Sequence, residues 1–170
     1  KSGVEVLTQF RKPYYKHEAL NLKDSGFPET EALSREVCSL PMNVELDAIA
    51  SVVIGGTLLS KAVAAAKILQ AQEIHPRLIN MHTIKPLDKD LVLKAADETG
   101  KIVTIEEGYL AGGLGSCIAE LLVTERPVPM KMIGVDDQYA DAGPYEELLA
   151  HLGLQGEQIA ETVEQFLSSN

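Results

Sequence analysis

The sequence predicts an α/β fold, a three-layer, mainly parallel sheet with helices on both faces, and three observations carry that expectation. Short β-branched runs such as Ser51-Val-Val-Ile54 and Ile102-Val-Thr-Ile105 are nearly continuous, as strands covered on both sides should be. Segments with helical spacing separate them in strict alternation from about Asp47 onward. Glycines stand where strands must turn into helices, above all in Gly112-Gly-Leu-Gly-Ser116.

The elements follow in order. Ser51 to Gly56 reads as a buried strand ending in two glycines, and Leu58 to Gln72 as an alanine-rich helix whose stripe is Leu59, Val63, Ala66 and Leu69 or Gln70. Pro76 to His82 is the next strand. Asp88 is the expected N-cap of a helix with Leu91, Val92, Ala95 and Ala96 inside, and Gly100 its terminator. The strand from Ile102 leads through the glycine turn to a helix read from Ser116, with Ile118, Leu121 and Leu122 inward and Glu120 outward. Val128 to Val135 is a strand whose early Pro129 places it at an edge or a strand entrance. Pro144 opens a helix to Gly153, and Gln158 to Leu167 forms the last, with Ile159, Val163 and Phe166 or Leu167 on one side.

Residues 1–48 have a different texture, a strand–loop–helix arm set before an α/β domain spanning 49–170. Val4 to Phe10 alternates as a short strand, Arg11 to Pro28 reads as an extended loop, and Pro28 opens a helix with Glu29 and Glu31 in its first turn. The strand either joins the sheet edge or belongs to an arm that hangs over the surface.

Composition excludes several function classes. A net charge of −10, from 15 Lys and Arg against 25 Asp and Glu, argues against nucleic acid, since no dense basic cluster is present. No apolar run approaches the roughly 20 residues of a membrane-spanning helix. The opening residues carry neither a signal-peptide core nor a transit pattern, which predicts a cytoplasmic location, and a first residue of Lys rather than Met points to sequence upstream. Cys38 and Cys117 are too few for a disulfide framework or a zinc site.

Four positions merit weighing as sites. Gly112, Gly113, Gly115 and Ser116 lie where a helix N-terminus offers free N–H groups to an anion, but the full dinucleotide fingerprint is missing. His82 ends a strand at the sheet edge where ligands collect, yet no nucleophile or metal ligand stands at a supporting spacing, so a structural role with Thr83 is expected. Glu106 and Glu107 end the next strand; successive residues face opposite ways, so they do not form a facing acid–base pair. Asp136, Asp137 and Asp141 lack any cage for a cation. No catalytic residue and no metal ligand are assigned.

Two stretches resemble known families. Gly3-Val-Glu-Val-Leu7, Pro13-Tyr-Tyr-Lys-His17, Phe27 to Val37 and Ser39-Leu-Pro-Met42 resemble the C-terminal tail of pyridoxal-phosphate sugar aminotransferases, whose cofactor lysine lies upstream of that tail. Ile79 to Asp88, Val103-Thr-Ile-Glu-Glu107, Gly112 to Ser116 and Ile133-Gly-Val-Asp-Asp137, followed by Gly143 and Glu147-Leu-Leu149, resemble the C-terminal domain of transketolase over about 51–167. That resemblance implies a fragment of a thiamine-diphosphate enzyme moving two-carbon ketol units between sugar phosphates. The Gly-Asp-Gly…Asn-Asn signature for the metal and diphosphate is missing, as is the glutamate that activates the pyrimidine, so neither thiamine diphosphate nor Mg²⁺ is expected on this chain alone. The resemblance implies instead an assembly role with the missing domains or a partner subunit, self-association, and close packing of Gly112, Gly113 and Gly115 at a subunit interface as the favoured reading of that turn. The alternatives are an interaction module like the end of a 2-oxo acid dehydrogenase β chain, and a remnant of a sugar aminotransferase.

Overall fold

The computed structural model describes residues 6–8, 50–139 and 142–169. Five strands form one parallel sheet: β1 (Val6–Thr8), β2 (Ala50–Ile54), β3 (Pro76–Asn80), β4 (Ile102–Tyr109) and β5 (Met130–Val135), in the order β1-β3-β2-β4-β5. The helices are α1 (Leu59–Ala71, entered through a 3₁₀ turn at Gly56–Leu58), α2 (Lys89–Thr99), α3 (Leu114–Glu125), α4 (Tyr145–His151) and α5 (Gly156–Ser168). The rest of the arm expected over 1–48, with its resemblance to an aminotransferase tail, lies outside the described residues.

Two cores sit on the two faces of the sheet. On one, Val52, Ile54, Val103 and Ile105 pack with Ala62, Ala66 and Leu69 of α1, Leu149 of α4, and Ile159 and Val163 of α5. On the other, Val53, Ile79 and Ile102 pack with Val92 and Ala95 of α2 and Leu114, Ile118 and Leu122 of α3. Alternation along each strand generates this division. The strands are apolar on both sides because helices cover both sides.

The expected caps are present. Asp88 accepts the Leu91 N–H at 3.0 Å, and Gly100 closes α2 in the left-handed region at φ 67°. Pro129 precedes β5, which is an edge strand. Two readings need correction. The buried stripe of α1 consists of Ala62, Ala65, Ala66 and Leu69, while Leu59 and Val63 are only partly buried. On this side α1 lies close against α5: a Cβ on Gly156 would stand 2.9 Å from the Ala64 methyl and 3.3 Å from the Lys61 carbonyl oxygen. Helix α5 also starts at Gly156, two residues before Gln158, because Gln155 and Gln158 form a reciprocal capping box.

The chain steps from β2 outward to β3, then crosses to pair β4 on the other side of β2. The connections after β2 and β4 therefore diverge onto opposite faces, with α1 on one and α3 on the other. In open α/β sheets such a switch point opens a crevice at the C-terminal strand ends.

Candidate functional site

Strand parity places the two glutamates that end the buried part of β4 on opposite faces. Glu106 follows Ile102 and Thr104 toward α3; Glu107 follows Val103 and Ile105 toward α1. Glu106 is only 6% exposed. Its two oxygens accept the N–H groups of Leu114 and Gly115, both at 2.8 Å, so the carboxylate lies against the N-terminus of α3. Charge and free donors match there: two orphan N–H groups and the positive end of the helix dipole meet one negative group.

The glycines make room for it. A Cβ on Gly113 would lie 2.0 Å from Glu106 Oε2 and 2.6 Å from the Tyr109 carbonyl oxygen. One on Gly115 would meet Met132 Sδ at 2.7 Å and the buried hydroxyl of Thr104 at 2.9 Å. Gly112 is needed for another reason, a φ of 81°. Ser116, read as the start of the helix, sits inside its first turn, since α3 begins at Leu114. Its hydroxyl donates to the Leu110 carbonyl at 2.6 Å and accepts the Gly112 N–H at 2.9 Å, which ties the turn to the helix it precedes.

Glu107 stands at the switch point. Its Oε2 accepts hydrogen bonds from Thr57 Oγ1, in the turn after β2, and from Tyr145 Oη at 3.1 Å, at the start of α4. Beside it Lys61 pairs with Glu146 at 2.6 Å, and Gln155 Nε2 donates to the Glu146 carboxylate at 3.0 Å. The donations from Gln155 and Lys61 hold the Glu146 carboxyl below its ordinary value. Thr57, Lys61, Tyr145, Glu146 and Gln155 are not legible as a group in the sequence, because they come from connections that meet only once the sheet order is known. The hint is positional: Thr57 follows the two glycines that end β2, and Glu107 ends the adjacent strand.

His82 lies beyond the end of β3, exposed, with Nδ1 3.2 Å from Thr83 Oγ1 and a cis Lys85–Pro86 bond following in the same loop. Partial burial lowers its pKa, opposed by a backbone hydrogen bond. Between the folded value and 6.5 the unfolded chain binds more protons, so stability rises with pH there and falls as pH drops below 6.5. Melting temperatures recorded between pH 7.5 and 5.5 are expected to fall further for the natural chain than for His82→Gln. A nuclear magnetic resonance titration midpoint of His82 above 6.5 would reverse that expectation.

The structure thus brings Glu106 together with Gly113 and Gly115, and Ser116 with Gly112; Glu107 and His82 each stand apart from that group. An open depression of about 430 Å³ lies at the ends of β4 and β5, lined by Tyr109, Ala111, Asp137, Gln138 and Tyr139. Four of the five exposed large apolar side chains described cluster toward this edge of the sheet: Ile84 and Tyr139 in the loops after β3 and β5, Tyr109 at the end of β4 and Tyr145 at the start of α4. Asp136 and Asp137 are exposed. Among the described residues no group of three or more His, Cys, Asp or Glu could hold a metal ion, and no helix is long and apolar enough to cross a membrane. Cys117 is a partly buried free thiol.

Comparison with known proteins agrees with the fold. The family model described as "Transketolase, C-terminal domain" matches residues 47–159. A 1-deoxy-D-xylulose-5-phosphate synthase of Gloeothece citriformis is 44% identical over 109 residues, covering 64% of this chain and 17% of that protein. An apulose-4-phosphate transketolase subunit of Phocaeicola vulgatus is 38% identical over 117 residues, 69% of this chain and 37% of that one. Among solved structures, a split-gene transketolase described as an inactive β4 tetramer superposes with a TM-score of 0.68 at 36% identity, over 72% of this chain and 40% of that one. The chain spans well under half the length of each of these relatives. A matched family model over most of the chain, with the α/β architecture to go with it, makes the chain a member of the transketolase C-terminal domain family.

Proposed function

We propose that this chain is the C-terminal piece of a transketolase-type enzyme and serves assembly, while thiamine diphosphate, its Mg²⁺ and the chemistry reside in domains or a subunit it lacks. The observation that carries this reading is the start of α3. Its Leu114 and Gly115 N–H groups, the donors a diphosphate would use, are held by the protein's own Glu106. A diphosphate there would meet a buried negative charge. The start of α3 therefore does not fit a diphosphate.

Two relatives lend support through their names, one a transketolase subunit and the other a β4 tetramer from a split gene. The exposed Ile84, Tyr109, Tyr139 and Tyr145 supply apolar surface suited to contact with missing domains, a partner subunit or a second copy in a homo-oligomer. A cytoplasmic setting is consistent with the free thiol of Cys117.

Calorimetric titration with thiamine diphosphate and Mg²⁺ tests the reading. No binding heat is expected from the chain alone. Saturable binding is expected once the diphosphate-binding and pyrimidine-binding domains are both supplied. Saturable binding to the isolated chain would overturn the proposal.

A further inference from the structure

The family match opens at residue 47, yet the sheet begins earlier. Strand β1 runs parallel to the outer edge of β3, with Val6 opposite Leu78, Leu7 opposite Ile79 and Thr8 opposite Asn80. Without it β3 would itself be an edge. Its amides show what that edge offers. The Met81 N–H donates to the Ile54 carbonyl next to β2 at 2.8 Å, and N–H groups alternate in direction along a strand. Ile79 therefore also points toward β2, while the N–H groups of Leu78 and Asn80 point outward, in the register that β1 meets. Leu78 and Ile79 are buried apolar residues, so nothing in the middle of β3 itself repels an incoming strand.

Reach is no obstacle. A parallel neighbour needs a long crossover, and the roughly 40 residues between Thr8 and Ala50 span up to about 130 Å when extended. That length lets residues 6–8 meet the edge of their own β3 or of another copy's.

We propose that the outer edge of β3 is an acceptor for an extended parallel segment. The chain's own residues 6–8 occupy it as a detachable cap that keeps two copies from pairing edge to edge. Recognition runs through main-chain hydrogen bonds, the mode of β-strand addition. With three residues in register the cap opens more readily than the strands beneath it. This inference stands independently of the transketolase reading.

Amide hydrogen exchange tests it on three proteins: the full chain, a variant lacking residues 1–10, and a full-length Val6→Pro/Leu7→Pro variant. One of two consecutive strand residues donates to its neighbour, so one of the two prolines removes a ladder donor. In dilute solution both variants are expected to lose at least tenfold protection at Leu78 and Asn80, with Ile79 and Met81 unchanged as internal references. A peptide of residues 3–10 added to the shortened chain should restore protection saturably, and concentrating the shortened chain should restore it through self-association. Equal protection of Leu78 and Asn80 in all three proteins would overturn the proposal. So would a joint loss at all four amides, since β1 would then support the whole sheet and not cap an acceptor edge. Failure of the peptide to restore protection would refute the acceptor role.

Discussion

Replacing Gly113 by alanine is expected to destabilise the domain by roughly 3–5 kcal/mol, a large part of the ~5–15 kcal/mol that holds an ordinary domain together. Backbone strain is not the cause, because Gly113 has φ −89° and ψ −160°, an extended conformation open to any residue. Space is the cause. The added methyl would lie 2.0 Å from Glu106 Oε2 and 2.6 Å from the Tyr109 carbonyl oxygen, one of them main chain and the other held by two hydrogen bonds. Either the turn or the carboxylate must move. If the carboxylate leaves, two charge-assisted bonds worth about 1.5–3 kcal/mol each are lost. Urea denaturation measures the effect as a lowered midpoint at unchanged slope. A variant within about 0.5 kcal/mol of the natural chain would show that the turn has slack which the geometry denies.

Removing the carboxylate itself comes next in size. Glu106→Ala is expected to cost about 3 kcal/mol, or on the order of 10 °C in melting temperature, because the Leu114 and Gly115 N–H groups lose their partner in a buried place. Glu106→Gln should fall between, at about 2 kcal/mol. Its amide oxygen can accept one N–H, but the amide nitrogen then confronts the other, donor against donor. The order Glu, Gln, Ala in melting temperature is the readout. If Gln matched Glu, the negative charge at the helix N-terminus would contribute nothing.

Much of the architecture is legible because it follows from local chemistry. The β-branched runs, Asp88 before α2, Gly100 after it and Pro144 before α4 each act on their immediate neighbours, and those elements fall where the sequence places them. Parity along β4 likewise forecasts that Glu106 and Glu107 part company. What fails depends on a partner distant in sequence. Large apolar residues usually mark the inner face of a helix, which points to Leu59 and Val63 on α1; the alanines are buried instead in one cluster with Ile159, Ala160 and Val163 of α5, some ninety residues later. A start of α3 at Ser116 misses Leu114 and Gly115 because nothing local says that they are already helical. Their cap comes from the preceding strand and not from a residue next to the helix. Thr57, Glu107 and Tyr145 meet only through the strand order, which periodicity does not reveal.

The carboxylate under α3 also decides how the two halves of this sheet edge respond to ionic strength. Lys61 and Glu146 form a solvent-facing pair, which dissolved ions weaken within a Debye length of about 8–10 Å. Glu106 is shut away from those ions, so the helix end it neutralises keeps its stabilisation in brine as in dilute buffer. The domain thus carries its own counterion, covalently attached, at that helix end.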